Sequence, residues 1–402
     1  MGGKKETIWN RDFILIFVIN FCYQMAHQMM NTLVPKYANS FGIAATLVGV
    51  ISSIFAVGSM ASRPITSPAL DAFKKKRMLL LVMVMMSLVF FGYSMTSNAY
   101  AIIGIRLIHG ICIGFFSPLV MMMAGDALPE NRMGSGISIF ALGQAIGQAV
   151  GPSIGLSMSK YWGYSPAFQV GAAVMLATAL LCFLLPNDNG NGKPYKIALN
   201  RILDKDAVPA GLIILFLCIS FGCIGAYLAI YGEARGVDNI GLYFTVYAIS
   251  LLISRPVSGI LSDKFGFTPM IGMGIICYGI SFVLLSFSRT IELFLAAAVV
   301  AALGYGVCQP QVQALTLKCV TKERRGVGSN TNFFFMDAGM MIGPTCAGYV
   351  IDSIARSTGG AATADAYSKM YLVMTIPMII AFLYLLMMKG KIKKIIEKNQ
   401  SA

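Results

Sequence analysis

Charge is scarce in this chain. Only 12% of its 402 residues are Asp, Glu, Lys or Arg, whereas a soluble protein of this size contains about 25%. Apolar residues make up 57% of the sequence. This balance excludes a soluble globular protein and predicts that most side chains face lipid or other apolar helices.

The sequence also lacks the motifs of several enzyme classes. No phosphate-binding GxxxxGK[ST] motif is present, which excludes direct ATP drive by this chain. The nine cysteines form no CxxC pair and lie mostly in apolar runs, so we interpret them as small buried hydrophobic residues. With only two histidines and no hydrophilic domain, we expect no metal site, no cofactor and no enzymatic activity.

Long apolar runs are abundant instead. A helix needs about twenty apolar residues to cross a bilayer, and twelve such runs are present. We therefore predict an all-α polytopic membrane protein with twelve transmembrane helices. The runs lie near residues 13–34, 46–65, 78–96, 99–124, 134–158, 165–185, 208–231, 239–260, 269–288, 291–317, 327–350 and 370–388.

The chain contains an internal repeat with a constant offset of 192 residues. Residues 62–77 read SRPITSPALDAFKKKR and residues 254–269 read SRPVSGILSDKFGFTP. A repeat unit of this length is too large for a solenoid and, in an apolar chain, indicates a transporter built from two parallel halves. We predict six-helix bundles over 1–186 and 208–402, joined by a cytoplasmic central loop over 187–207.

The basic residues predict the orientation of the chain. If both termini are cytoplasmic, the cytoplasmic segments hold 24 Lys and Arg and the outer loops hold six. The positive-inside rule then places both termini in the cytoplasm and the protein in the cytoplasmic (inner) membrane. The net charge of +14 is thus a topology signal, so we expect the lipid bilayer as a partner and no nucleic acid.

Four ionisable side chains are expected inside the membrane. Asp337 lies near the middle of the eleventh run, and Arg106 is the one base that the runs place deep in a span. An ionisable group at such a depth usually marks function, and a carboxyl in a medium of low dielectric binds a proton more readily than in water. We predict Asp337 as the proton carrier, with Arg106, His109 and His27 as further proton-coupling residues. The alternative is a structural ion pair between Asp337 and Arg106.

Three motifs resemble those of the major facilitator superfamily. Residues 259–266 (GILSDKFG) are similar to the family's G-x-L-a-D-x-x-G loop, and the first copy of the repeat keeps Asp71 but lacks the glycines. Residues 106–110 (RLIHG) resemble the family's R-x-x-Q-G. Residues 147–155 (GQAVGPSIG) resemble its antiporter signature, G-x-x-x-G-P-x-x-G.

This resemblance implies a fold and a mechanism. The fold would be two six-helix bundles that rock about a central cavity, most like the drug and metabolite:proton antiporter branch. Gly147, Gly151 and Pro152 would allow close helix packing and bend the fifth span. Charges at the cytoplasmic helix ends would latch the halves in the outward-open state. These gating residues are Asp71, Arg77, Asp126, Arg132 and Asp263.

Polar side chains within the spans indicate a substrate site. The first span carries a polar stripe with helical spacing, which predicts a face toward a cavity or the bundle interior. In the family, spans one, four, seven and ten line the central cavity. Amides, phenols and methionines would form a neutral, adaptable site. The predicted substrate-binding residues are Gln24, Gln28, Asn31, Gln144, Gln148, Tyr227, Tyr231, Gln309, Gln313 and Asn330.

These features predict a proton-coupled secondary transporter that exports small organic or amphipathic compounds by rocker-switch alternating access. Its partners would be a small-molecule substrate and protons, the proton gradient would drive it, and we expect a monomer. One alternative is a symporter or exchanger that takes up a small organic anion or sugar, with Arg106 and His109 as ligands. Another is a transport-dead sensor or scaffold, which the mid-span carboxyl and the polar stripe disfavour.

Overall fold

A computed structural model describes residues 8–129, 133–186, 203–321, 324–360 and 362–400, except for some helical side chains. Within these ranges the chain forms thirteen α-helices and no strand, which confirms the predicted all-α fold class. The helices are α1 (Arg11–Asn39), α2 (Ala45–Ala72), α3 (Lys75–Ser94), α4 (Ala99–Asp126), α5 (Met133–Trp162), α6 (Tyr164–Cys182), α7 (Val208–Ala234), α8 (Leu242–Phe265), α9 (Phe267–Phe287), α10 (Ile291–Lys318), α11 (Arg325–Ser357), α12 (Ala364–Val373) and α13 (Ile376–Gln400).

The helices account for twelve membrane crossings in the described part of the chain. Eleven helical segments are long and apolar enough to cross a membrane, if α12 and α13 are taken together as the segment 364–399. The remaining crossing is α8, whose apolar stretch Leu242–Ser258 is shorter. The chain is therefore a multi-pass membrane protein.

Short connections between successive helices alternate between two ends of the bundle. We call the end at which α1 begins and α13 ends the terminal end, and it also carries the α2–α3 connection at 73–74. The opposite end carries the connections at 40–44 and 235–241. The first half of the molecule is α1–α6 and the second half is α7–α13. Of the predicted central loop at 187–207, residues 187–202 lie outside the described part of the chain.

Two helix pairs make the most extensive contacts between the halves, and we call them the α2–α11 seam and the α5–α8 seam. The hydroxyls of Ser53 and Thr345 are hydrogen-bonded at 3.0 Å across the first seam. Those of Ser153 and Thr245 are hydrogen-bonded at 2.8 Å across the second. Each residue of one bond differs by 192 positions from a residue of the other, which is the repeat offset. The two seams are therefore counterparts in space as well as in sequence.

Glycine allows the close contact between α1 and α5. A Cβ atom at Gly151 would lie 2.2 Å from the carbonyl oxygen of Met25, so a larger residue would push the two backbones apart. The same contact recurs in the second half, where a Cβ atom at Gly343 would lie 1.9 Å from the carbonyl oxygen of Ile219. The glycine stripe of the antiporter-like motif thus packs on α1 within the first half, while Pro152 lies at the central cavity.

Two arginines lie deeper than the sequence analysis placed them. Arg63 and Arg255 lie near the ends of the predicted spans 46–65 and 239–260 and were counted among the cytoplasmic charges. The α2 and α8 helices continue beyond them through their prolines. Proline is tolerated in a transmembrane helix when neighbouring groups satisfy the backbone that it leaves free. The prediction that Arg106 is the one deep base is therefore wrong. Without these two arginines, the predicted cytoplasmic segments still hold more Lys and Arg than the outer loops.

Candidate functional site

A cavity lies between the two halves. It contains about 730 Å³ of space that no protein atom fills, part of which is open to the surroundings. The described lining comes from α1 and α7, as the resemblance implied, but otherwise from α2, α5, α8 and α11 rather than from α4 and α10. The residues that line it include Gln28, Asn31, Thr32, Ser52, Phe55, Ala145, Gln148, Pro152, Phe221, Tyr243, Phe244, Tyr247, Leu251 and Met340.

The cavity wall is neutral but able to form hydrogen bonds. Among the described residues that line it, none carries a charge. Tyr243 and Tyr247 lie on one face of α8, an i,i+4 spacing that is visible in the sequence. The buried hydroxyl of Tyr243 has no hydrogen-bond partner among the described residues. Within the described part of the chain, no group of three His, Cys, Asp or Glu residues could hold a metal ion.

The structure brings some of the predicted substrate-binding residues to this cavity. Gln28, Asn31 and Gln148 line it. Gln24 and Gln144 lie one helical turn from Gln28 and Gln148, and Gln24 is buried. The predicted residues on α10 and α11 are not among the described residues of the cavity wall; they are Gln309, Gln313 and Asn330.

Tyr227 and Tyr231 of α7 also lie away from the cavity. The hydroxyl of Tyr227 lies 2.8 Å from the carbonyl oxygen of Ala45 and 2.9 Å from that of Pro344, and can donate to either. The hydroxyl of Tyr231 donates to the carbonyl oxygen of Ser288 at 2.9 Å. Both side chains are fully buried. Their shared helical face was predicted correctly, but that face packs against protein, so both residues make structural contacts.

A chain of hydrogen bonds runs through buried side chains of α1, α3 and α4. Nη1 of Arg106 lies 3.0 Å from Oδ1 of Asn31, and Nδ2 of Asn31 lies 3.1 Å from Nε2 of His27. Nδ1 of His27 lies 3.1 Å from Nε2 of His109, whose Nδ1 lies 3.0 Å from the hydroxyl of Tyr93. The structure therefore brings together three of the four predicted proton-coupling residues.

The chemistry of Arg106 determines which atom donates and which accepts in each bond of this hydrogen-bond chain. A guanidinium can only donate, so the oxygen of Asn31 accepts and the amide nitrogen of Asn31 donates to His27. A neutral His27 that accepts at Nε2 carries its hydrogen on Nδ1 and donates to His109. The same reasoning assigns the hydrogen of His109 to Nδ1, beside Tyr93. A further proton on either imidazole must break at least one of these bonds.

Asp337 pairs with Arg63. Nε and Nη2 of Arg63 lie 3.0 Å and 2.5 Å from Oδ2 of Asp337, and the hydroxyl of Ser59 donates to the same oxygen at 3.0 Å. The side chains of Arg63 and Asp337 are only 9% and 10% exposed. The alternative of a pair between Asp337 and Arg106 is therefore wrong, because Arg106 is held by Asn31 inside the first half. The observed pair bridges the two halves across the α2–α11 seam.

Phe55 of α2 connects the cavity, the hydrogen-bond chain and the ion pair. The guanidinium carbon of Arg106 lies 5.2 Å from the centroid of the Phe55 ring, and the ring of His27 lies 6.1 Å from it. Ser59, one turn further along the same face of α2, donates to Asp337. Because Phe55 also lines the cavity, a ligand there would contact a side chain that touches the hydrogen-bond chain.

Polar contacts also join the halves at the opposite end. The carboxylate of Asp352 in α11 accepts hydrogen bonds from the backbone N–H groups of Ala45 and Thr46 at 2.9 Å and 2.8 Å. It thereby caps the start of α2, where the helix dipole favours negative charge. The sequence analysis missed this contact because it ended the eleventh span near residue 350, whereas α11 extends to Ser357.

The predicted gate at the terminal end is partly described. Asp126 forms an ion pair with Lys75 at 2.5 Å within the first half, and Arg77 is exposed. The gating role of these residues stays a prediction. Arg132 lies outside the described residues. For Asp71 and Asp263 the helix is described but the side chains are not.

A second charge cluster at the terminal end was not predicted. Nη1 of Arg324 lies 2.8 Å from the carboxylate of Asp204, and Nη2 lies 2.9 Å from that of Asp206. Asn399 near the end of α13 also donates to Asp206. The hydrogen bond from Arg324 lowers the pKa of Asp206. The cluster ties the starts of α7 and α11 to the end of α13. Its signal in the sequence was the repeat, since Arg324 is the counterpart of Arg132.

Related sequences agree with this architecture. The family model of the Major Facilitator Superfamily matches residues 16–238 and 210–400. The multi-drug resistance efflux pump PmrA homolog of Lactococcus lactis is 24% identical over 375 residues, 87% of this chain and 91% of that protein. The multidrug resistance protein MdtG of Salmonella arizonae is 23% identical over 354 residues, 84% of this chain and 87% of that protein. The staphylopine export protein of Staphylococcus aureus is 20% identical over 265 residues, 63% of this chain and 66% of that protein.

Solved structures share the fold. A mutant of the nucleoside transporter NupG superposes with a TM-score of 0.81 at 12% identity, over 94% of this chain and 99% of that one. A bacterial homolog of the human lysosomal transporter Spinster, in an inward-facing and unoccupied conformation, superposes with a TM-score of 0.78 at 14% identity. That match covers 98% of this chain and 99% of that one. At these identities the likeness concerns the fold alone.

Proposed function

Because the chain belongs to the major facilitator superfamily, and is thus a membrane transporter rather than an enzyme, we propose that it exports small organic or amphipathic compounds in exchange for protons. The observation that carries the proposal is the ion pair of Arg63 and Asp337. This pair lies in a seam between the halves, and the halves must separate there when access to the cavity alternates.

Asp337 is the proposed proton-binding residue. In its ionised form it attracts Arg63 across the α2–α11 seam through charge-assisted hydrogen bonds. In its protonated form it keeps at most a weaker hydrogen bond, so the attraction between the halves at this point falls. The protein has one state in which the halves are in contact at the opposite end and one in which they are separated there. Protonation of Asp337 would change the free-energy difference between these two states.

The hydrogen-bond chain supports a relay role for Arg106, His109 and His27. Asn31 belongs both to this chain and to the cavity wall, and it also donates to Gln28 at 2.7 Å. A ligand that bonds to either amide competes with the bond between Asn31 and His27. Substrate binding and the protonation of the imidazoles would therefore influence each other.

The names of relatives favour export. Two are described as a multidrug efflux pump and a multidrug resistance protein, and a third as an export protein. A cavity lined by amides, phenols and aromatic rings suits amphipathic compounds of varied shape. We place the substrate against Gln28, Asn31 and Gln148, with the proton gradient as the driving force and a monomer as the transporting unit.

The proposal includes the orientation of the protein in the membrane. The terminal end, which carries the excess of Lys and Arg, faces the cytoplasm, and the membrane is the cytoplasmic (inner) membrane. The contacts of Asp352 and Tyr227 then close the outer side. A cavity closed to the outside is the loading state of an exporter. The gating residues at the cytoplasmic helix ends, Asp71 among them, would act when that side closes.

Uptake of a small organic anion with Arg106 and His109 as ligands is less compatible with the geometry. Both side chains are fully buried. Asn31 and Phe55 contact Arg106 and line the cavity, so they separate the guanidinium from a ligand there. Symport and antiport nevertheless predict opposite proton movements, and one experiment distinguishes them.

The experiment uses the full chain in liposomes that contain a pH-sensitive dye. With an acidic interior, external addition of a panel of amphipathic aromatic compounds should alkalinise the interior when a substrate enters in exchange for protons. Further acidification would indicate symport and contradict the proposal. We expect Asp337→Asn to abolish the pH change while exchange of labelled substrate across the membrane persists.

The matched control is Asp238→Asn. Asp238 lies at the opposite end, and its side chain is 88% exposed. This variant should retain both the pH change and the exchange. If Asp337→Asn retains substrate-driven proton movement at the rate of the control, Asp337 is not the proton carrier.

A further inference from the structure

The repeat relates the two seams residue by residue, and the counterpart of the buried ion pair is incomplete. The matched hydrogen bonds of Ser53 and Ser153 show that the offset of 192 residues holds for contacts between the halves. Applied to Arg63 and Asp337, the same offset gives Arg255 in α8 and Ala145 in α5. The second seam therefore has the arginine without the acid.

The guanidinium of Arg255 has donors to spare. Nε of Arg63 donates to Asp337 at 3.0 Å, whereas Nε of Arg255 is buried and has no hydrogen-bond partner among the described residues. The one described hydrogen bond of the Arg255 side chain is a long one, from Nη2 to Oε1 of Gln309 at 3.5 Å. A buried donor without a partner is unfavourable, so this arrangement favours any acceptor that can reach it.

The α5 positions that correspond to the neighbours of Arg63 on α11 have small side chains. Phe333 of α11 places its ring 5.2 Å from the guanidinium carbon of Arg63, and the counterpart of Phe333 is Ala141. The counterpart of Asp337 is Ala145. Two large side chains of the first seam are thus replaced by two methyl groups in the second.

This position continues the wall of the central cavity. Ala145 lines the cavity from α5, and Tyr247 and Leu251 line it from α8. Arg255 follows Leu251 by four residues, so both lie on one face of the helix. Arg255 therefore lies one turn beyond the described cavity wall along α8, toward the terminal end.

We propose that Arg255 binds a carboxylate of the transported substrate, in the position that Asp337 occupies in the first copy of the repeat. The planar guanidinium can hold a carboxylate by two parallel hydrogen bonds. The apolar or aromatic part of the substrate then lies against Tyr247 and Phe221 in the cavity. The proposal rests on the proposed function, because it takes the central cavity as the substrate site.

Arg63 and Arg106, which also lie deep in described helices, do not offer such a site. Arg63 already binds Asp337. Arg106 is fully buried and separated from the cavity by Asn31 and Phe55. A carboxylate on Arg255 would give the α5–α8 seam the charge pair that the α2–α11 seam has within the protein. Substrate and proton would thus act on two related seams.

The test measures binding of matched acids and amides to the purified full chain in lipid nanodiscs. The pairs are benzoate and benzamide, indole-3-acetate and indole-3-acetamide, and octanoate and octanamide. Binding is read from the rise of the unfolding temperature with concentration. We expect at least one acid to bind about tenfold more tightly than its amide, because only the acid forms charge-assisted hydrogen bonds.

Arg255→Gln should remove the preference for the acid and leave the affinity for the amide unchanged. Arg255→Lys should restore part of the preference, because it keeps the charge without the planar fork. The matched control is Arg289→Gln, which changes an exposed arginine in the connection between α9 and α10 and should keep the preference intact.

Ala145→Asp is an independent variant that supplies the missing acid from the protein. It copies an ion pair that the fold already contains, and it should weaken binding of the acid about tenfold while sparing the amide. Ala145→Asn adds a side chain of the same size without charge. Its effect on the acid should be clearly smaller than that of Ala145→Asp.

Three results would overturn the proposal: equal binding of acids and amides, an equal loss of both in Arg255→Gln, or no binding of any acid. None of these readouts requires proton movement. A protein that binds acids through Arg255 but shows no substrate-driven pH change in liposomes would contradict the export proposal alone. The two proposals can therefore fail separately.

Discussion

The guanidinium of Arg63 lies 2.5 Å from the carboxylate of Asp337, and the two residues belong to different halves of the molecule. The pair is almost completely removed from solvent. Loss of one partner leaves an uncompensated buried charge, which destabilises a protein more than loss of both. The first prediction follows from this asymmetry.

We expect Arg63→Gln to destabilise the protein by about 3 kcal/mol, because Asp337 then lacks its charged partner. The double variant Arg63→Gln with Asp337→Asn should be more stable than Arg63→Gln alone. Thermal unfolding in the same detergent measures both. If the double variant is destabilised by the sum of the two single effects, the residues do not form a coupled pair.

The hydrogen-bond chain predicts the tautomers of both histidines. His27 and His109 should be neutral at pH 7 and carry their hydrogens on Nδ1, because Arg106 orients the amide of Asn31. The chain has only two histidines, so ¹⁵N spectra of histidine-labelled protein resolve them directly. Replacement of Asn31 by Leu should broaden or shift the His27 signals. Signals of the Nε2–H tautomer in the unmodified protein would contradict this assignment.

The cap at the start of α2 predicts a local effect at the opposite end. Asp352→Ala removes the acceptor for the N–H groups of Ala45 and Thr46 and should cost about 1 kcal/mol. Hydrogen exchange at these two amides should accelerate, because the seam opens there more often. Asp238→Asn serves as the control. Unchanged exchange at Ala45 would show that this cap does not hold the end closed.

The cluster of Arg324 predicts a pH dependence at low pH. The pKa of Asp206 is lowered by its hydrogen bond with Arg324. A lowered pKa in the folded state stabilises the protein above the ordinary pKa of an aspartate, about 4, and this contribution is lost as the pH falls through the lowered pKa. Asp206→Asn should therefore lower the unfolding temperature at pH 7 and reduce its further decrease below about pH 4.

If wild type and Asp206→Asn lose stability in parallel over that range, other carboxyls determine the acid response. Asp126→Asn is a suitable comparison, since its partner Lys75 lies within the first half and its carboxylate is 59% exposed. Asp126→Asn should change the pH dependence of the unfolding temperature less than Asp206→Asn does.

The packing of α5 on α1 predicts opposite outcomes for two glycines. Gly151→Ala places a methyl group 2.2 Å from the carbonyl oxygen of Met25 and should destabilise the protein by about 1–3 kcal/mol. Gly104→Ala on α4 meets no atom within 4 Å and should be neutral or stabilising by up to about 1 kcal/mol. Unfolding temperatures of the two variants test this. An equal loss in both would contradict a backbone contact at Gly151.

Helical periodicity located candidates but not their contacts. The polar stripe of α1 correctly indicated an interior face, and Gln28 and Asn31 lie at the cavity. The same reasoning placed Tyr227 and Tyr231 on one face of α7, but that face packs against protein. Periodicity defines which residues share a face, while the neighbours of that face depend on helices from elsewhere in the chain.

The predicted ends of the spans also depended on contacts that the sequence does not show. The second span was predicted over residues 46–65, so Arg63 lay close to its end and was counted among the cytoplasmic charges. The α2 helix continues because the carboxylate of Asp337 compensates the arginine inside the membrane region. Window hydropathy cannot represent such compensation, because the partner lies 274 residues away in the sequence.

The sequence by itself determined that this protein crosses a membrane many times and consists of a repeated unit. Both properties are local or repetitive: lipid requires long apolar helices, and a duplication preserves its offset. Only the tertiary structure decided that Asp337 pairs with Arg63, that Asn31 joins Arg106 to His27, and that Arg255 forms no ion pair with a described acid. These relationships depend on how distant helices rotate and pack against one another, which no single stretch of sequence specifies.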